Sequence, residues 1–214
     1  MPLNPDKFME TLVNDLKPVA PLRQRAGMIR ALLALAAGAA VFNLICGLRG
    51  DVLTGRPDPM FMISTGLFLV LAIASAWAVI DMARPWVGIA RDGWGWTALM
   101  AGVLPITALV SASVGWLDGV PQAIDHGGYS CLVMGCLVGM MTAATLVFWL
   151  RRGAPSSPRR AGLLAGVASG AAGIVAVSLH CPYNDLMHIG IWHGLSVIAM
   201  GLAGLLAGPR LLRW

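Results

Sequence analysis

The six residues His180-Cys181-Pro182-Tyr183-Asn184-Asp185 set an imidazole, a thiol and a carboxylate side by side between two apolar runs. Thiols and imidazoles serve as nucleophiles, redox partners and soft-metal ligands, so this stretch is the best equipped for chemistry in the chain. Three further cysteines (Cys46, Cys131, Cys136) and three further histidines (His126, His188, His193) accompany it, with Asp118 and Asp125 as additional carboxylates. Their spacing matches no closed zinc pattern and contains no Cys-x-x-Cys pair, so it assigns no particular metal and no ordinary dithiol centre. His126, His188 and Asp185 are the weak candidates for metal ligation. No cofactor is expected beyond a transient metal ion at the cysteines, and no catalytic residue is assigned.

Hydropathy decides what positions these groups. The 214 residues are 57% hydrophobic and 12% charged, with a mean hydropathy of +0.75, too apolar for a soluble core to hide. Six apolar runs, at 28–48, 60–80, 97–116, 131–150, 161–180 and 189–207, are each long enough to cross ~30 Å of hydrocarbon at ~1.5 Å per residue. The expected fold is therefore all-α, a polytopic membrane protein with six transmembrane helices. The first run follows a basic stretch and shows no small-residue cleavage site, so it reads as a retained span.

Charge sets the orientation. With the N-terminus inside, only Arg49 and Arg56 of the fifteen Lys and Arg fall in outer segments; the positive-inside rule then predicts both termini in the cytoplasm. The net charge of +5 is explained by this bias, and no direct nucleic-acid contact is expected. The same topology gathers every cysteine and histidine at the outer side, where in bacteria thiols can be oxidised. Cys131 and Cys136 are ~7.5 Å apart in height on one helix and face different ways, so they do not suit each other. Cys131 and Cys181 stand at the outer ends of neighbouring helices and suit each other better. For those two a redox or metal role is as open as a structural one, whereas Cys46 and Cys136 read as small apolar fillers. Small residues at Cys131, Gly135 and Gly139, and again at Gly162, Gly166 and Gly170, predict that spans four and five pack as a close hairpin. The loop from Leu48 to Pro59 reads as an ordinary external turn, Trp86, Trp94 and Trp96 as interfacial anchors, and Pro105 as a packing kink.

Residues 1–27 form the only sizeable segment outside the spans. Asn4 can cap a helix with Pro5 at its first position, and Phe8, Met9, Leu12, Val13 and Leu16 share one face before Pro18. Such a helix can lie on the inner leaflet of the lipid bilayer or dock in a partner's groove. Asp6, Glu10 and Asp15 on its polar side disfavour anionic lipid.

Taken in order, Leu12-Val13-Asn14-Asp15-Leu16-Lys17-Pro18-Val19-Ala20-Pro21-Leu22, six spans, Arg151-Arg152-Gly153-Ala154-Pro155 and a late His180-Cys181-Pro182 resemble the NrsF-type membrane anti-sigma factors of proteobacteria, across nearly the whole chain. The resemblance implies a regulator and not an enzyme: a bacterial inner-membrane protein that sequesters an ECF-type, sigma-F-like sigma factor and releases it on a periplasmic redox or metal stress signal. It implies residues 1–27 as the sigma-binding segment, anchored by Phe8, Leu12, Val13 and Leu16, and residues 28–214 as the sensor domain. Cys131 and Cys181, with His180 beside them, become the signal-sensing candidates. Two other classes compete. A membrane thiol:quinone oxidoreductase would use the external cysteines but normally presents Cys-x-x-Cys. A small-solute or metal transporter would need ionisable groups near the middle of the spans, which this chain almost lacks. A b-type haem held by His180 and His193 is a further option.

Overall fold

The computed structural model describes residues 5–15, 22–84 and 127–212, and all the regular structure among them is helical. In chain order the helices are α1 (Pro5–Asp15), α2 (Gln24–Cys46), α3 (Gly50–Leu53), α4 (Pro59–Met82), α5 (Gly128–Arg151), α6 (Pro158–Ser178) and α7 (Leu186–Leu211). Five of them, α2, α4, α5, α6 and α7, are long and apolar enough to cross a membrane. They coincide with five of the six expected runs to within a few residues at each end. Proline and capping chemistry set several of these ends: α4 starts at Pro59 behind Asp58, whose Oδ1 accepts from the amides of Met60 (2.7 Å) and Phe61 (3.3 Å), and α6 starts at Pro158. The run at 97–116, with Pro105 and the three tryptophans before it, lies outside the described residues.

The centre of the bundle is α6, whose apolar window is 94% buried. Its sequence, PRRAGLLAGVASGAAGIVAVS, is rich in Gly, Ala and Ser beyond its first turn, so neighbouring backbones can approach on several sides. The expected α5–α6 contact is present, but the Gly162, Gly166 and Gly170 stripe does not make it. That stripe faces α7, where Cβ atoms on Gly162, Gly166 and Gly170 would meet the backbone of Gly204, Met200 and Val197. Helix α5 takes the adjoining stripe: a Cβ on Gly139 would meet Ser169, and one on Gly173 would meet the carbonyl of Gly135. Positions 162, 166, 170 and 169, 173 are separate four-residue rows around one helix, and spacing alone does not say which neighbour takes which row. Gly166→Ala and Gly173→Ala are each expected to destabilise the folded chain by about 1–3 kcal/mol, the usual cost of overpacking. Gly66→Ala, whose Cβ would meet nothing within 4 Å, is expected to be neutral or mildly stabilising. Thermal unfolding in detergent, followed by helical circular dichroism, separates the two outcomes.

The two ends of the bundle differ in chemistry. At one end Gln24 Nε2 donates to Asp81 Oδ1 (2.5 Å), Gly27 lies under the Trp149 indole, and the Arg30 guanidinium sits 5.4 Å from that ring's centre. The start of α2 is thereby tied to the last turns of α4 and α5. At the other end, the loop expected to be an ordinary turn carries α3 and a buried arginine. Arg49 pairs with Asp51 (Nε to Oδ1, 2.6 Å), lies over the Phe61 ring (4.5 Å) and donates from Nη1 to the carbonyl of Cys181 (2.9 Å). A guanidinium is buried here because one carboxylate, one carbonyl and one aromatic face together replace its water.

On α1 the side chains described, from Lys7 and from Met9 to Asp15, are all exposed. Met9, Leu12 and Val13 are 63%, 50% and 61% accessible, so an apolar face stands uncovered among the described residues. The Phe8 side chain and Leu16 lie outside them.

Candidate thiol and imidazole site

At the Arg49 end, four side chains converge from three elements. Cys131 comes from the first turn of α5; the tight seat of Gly128 against the Trp192 indole, where no Cβ would fit, brings that turn beside the start of α7. Cys181 comes from the loop after α6, where its amide bonds the carbonyl of Val177 (2.9 Å) while Arg49 holds its own carbonyl. His188 and His193 come from α7. Asp185 caps that helix, its Oδ1 accepting from the His188 amide (2.6 Å), so this carboxylate orients a ligand-type residue from behind and is not part of the cluster.

The pairing of His188 with His193 depends on a local departure from α-helix. At 100° per residue, side chains five apart diverge by about 140°. Residues Ile189–His193 form a π turn instead, and hydrogen bonding from i to i+5 brings the fifth residue back over the first. The two imidazoles stand 5.3 Å apart, centroid to centroid, edge to face.

The resulting cluster is tight and dry. Cys131 Sγ lies 3.6 Å from Cys181 Sγ, Cys181 Sγ lies 3.5 Å from His188 Nε2, and one ligand-type atom from each of Cys131, Cys181, His188 and His193 falls within 4.8 Å of every other. Cys181, His188 and His193 are each at most 2% exposed, and both cysteines are free thiols. A hydrogen bond from the Cys131 thiol, with the two imidazoles behind it, holds the Cys181 thiol below its usual range against the opposing effect of burial. Both ring nitrogens of His193 and Nδ1 of His188 are buried with no hydrogen-bond partner among the described residues.

The structure thus brings Cys131 and Cys181 together and adds His188 to them. It keeps His180 apart: that residue is exposed, donates from Nδ1 to the carbonyl of Gly47 (2.9 Å) and meets the Phe42 ring at its edge. His193 pairs with His188 and not with His180. His126 lies outside the described residues. Cys136 sits 3.7 Å from the Ser196 hydroxyl, and Cys46 is exposed. The sequence singles out neither the pairing of His193 with His188 nor the place of Arg49. His193 is five residues from His188, a separation that a regular helix would splay apart; Arg49 has one visible signal, as one of two basic residues in the segment between the first two apolar runs.

Among the described residues the chain is all-helical, with five helices of membrane-crossing length and a buried cluster of two thiols and two imidazoles at one end of the bundle. The chain matches the family described as NrsF, negative regulator of sigma F, over residues 12–214, and it belongs to that family. It is 31% identical over 193 residues to the anti-sigma-F factor NrsF of Caulobacter vibrioides (strain NA1000 / CB15N), covering 86% of this chain and 88% of the relative. It is 29% identical over 185 residues to the probable anti-sigma-F factor NrsF of Azospira oryzae, covering 84% of each. No solved structure matches it.

Proposed function

We propose that this chain is an inner-membrane anti-sigma factor with six spans and both termini in the cytoplasm. It holds an ECF-type sigma factor through residues 1–27, with Phe8, Leu12, Val13 and Leu16 as apolar anchors, and releases it when a periplasmic oxidant or thiophilic metal acts at Cys131 and Cys181. The observation that carries the reading is the relation, over more than four fifths of the chain, to proteins named as anti-sigma-F factors. The uncovered apolar face of α1 supports the output, and the thiol pair supports the input. The distribution of Lys and Arg supports the orientation. In the oxidative branch a peroxide is the oxidant. The two thiols each give up a hydrogen as the sulfur–sulfur bond forms, and the peroxide's oxygen–oxygen bond is cleaved, yielding an alcohol and water or, from hydrogen peroxide, two waters.

Co-purification of the full-length protein from its own cells under non-reducing conditions tests the reading. A sigma factor is expected to accompany it before stress and to be lost after peroxide or metal treatment. A preparation that never carries a sigma factor would reject the reading.

A further inference from the structure

We propose that Cys131, Cys181, His188 and His193 are the complete ligand set of one divalent thiophilic cation of the zinc type. This deepens the reading above by naming what the cluster binds and by giving the two histidines the same task as the cysteines.

Geometry comes first. Around a tetrahedral ion with bonds of ~2.3 Å to sulfur and ~2.0 Å to nitrogen, ligand atoms are separated by roughly 3.3–3.8 Å. The observed separations of 3.6 Å between the sulfurs and 3.5 Å between Cys181 Sγ and His188 Nε2 match edges of that tetrahedron. All four atoms lie within 4.8 Å of one another, close enough for one ion to draw them in by small side-chain adjustments. Two thiolates and two imidazoles also suit a borderline-soft ion, whereas hard cations seek oxygen.

Burial makes the second case. A dithiol switch needs no imidazoles, yet His193 is 2% exposed and neither of its ring nitrogens has a partner among the described residues. A buried polar group without a partner costs about 1–3 kcal/mol, and a coordinated ion would take up one of these nitrogens directly.

Charge then selects the oxidation state. Two thiolates and two neutral imidazoles around a divalent ion sum to zero, the arrangement a dry site tolerates best. A monovalent ion would leave one negative charge, and the nearby cation, Arg49, is already paired with Asp51 at 2.6 Å.

The test uses the full-length chain in detergent, exposed to Zn2+ and desalted. One Zn2+ per chain is expected, and the half-buried Cys131 thiol is expected to lose its reactivity towards an alkylating reagent once the ion is bound. His188→Ala and His193→Ala are each expected to weaken Zn2+ binding by at least about 100-fold, the upper end of what loss of an outer-sphere partner costs. Cys136→Ala is expected to leave binding unchanged. The Zn2+ count and the loss of Cys131 reactivity need no substitution, so they decide the matter if a histidine variant misfolds. Wild-type protein that binds no Zn2+ would overturn the proposal, and so would histidine variants, folded by helical circular dichroism, that keep wild-type affinity. Sigma-factor capture is measured separately, so a chain that captures its partner but binds no Zn2+ rejects the metal site alone.

Discussion

Replacing Leu12 and Val13 together with aspartate is expected to abolish repression and to strip the sigma factor from the purified complex. Both side chains are at least half exposed on α1, and the proposed function makes them anchors in a partner's groove. An apolar anchor at the heart of an interface contributes about 2 kcal/mol or more, and an aspartate in its place must also be desolvated without a partner. A combined loss of about 4 kcal/mol weakens binding by roughly three orders of magnitude. A reporter driven by a sigma-dependent promoter should therefore become constitutive while the variant remains in the membrane at normal level. Repression that survives both substitutions would remove α1 from the interface.

The complementary experiment acts at the opposite end of the bundle. Cys131→Ser combined with Cys181→Ser is expected to leave repression intact and to abolish induction by peroxide or metal. Serine keeps the size of the side chain but is neither oxidised to a disulfide nor a soft ligand. A full switch from one population to the other requires about 5.5 kcal/mol of differential binding, and structural zinc sites supply about 10–16 kcal/mol in total. A fraction of that energy, realised in only one helix packing, is sufficient. Induction that persists in the double variant would move the input elsewhere in the chain.

A route from one end to the other is visible in α5. It begins beside the cluster with Cys131 and ends with Trp149, against which Gly27 and Arg30 of α2 rest, and α2 comes after the segment that carries α1. At ~1.5 Å per residue its 24 residues span about 36 Å. In the proposed reading, a small shift of the first turn is delivered to the root of the N-terminal segment through the glycine contacts with α6.

The helices are legible in the sequence because twenty apolar residues in a row have few other uses, whereas the starts at Asp58-Pro59 and Pro158 come from the fold. Closeness of Cys131 to Cys181 is legible once two consecutive helices are taken as a hairpin. The partner of the Gly162 row is not, since a row of small residues says that something comes near without saying what. Arg49 is hidden for a related reason: its carboxylate is two residues away in the chain, but the carbonyl it holds is at Cys181, which only the fold brings within reach. His180 looks reactive because it adjoins Cys181, yet neighbours in sequence at a helix end need not share a direction.

The π turn at Ile189–His193 has a consequence for how such a site persists in a lineage. A π turn is equivalent to one residue inserted into an α-helix, absorbed locally so that the turns on either side keep their facing. Loss of a single codon between His188 and His193 would therefore remove the π turn and leave an ordinary α-helix with the two histidines four positions apart. At 100° per residue those positions differ by only about 40°, so both imidazoles would still face the sulfurs. Homologous chains can thus carry the same four side chains with either spacing, five on a π turn or four on a plain helix. A search for the same arrangement would therefore look for two histidines on one helix face at either spacing.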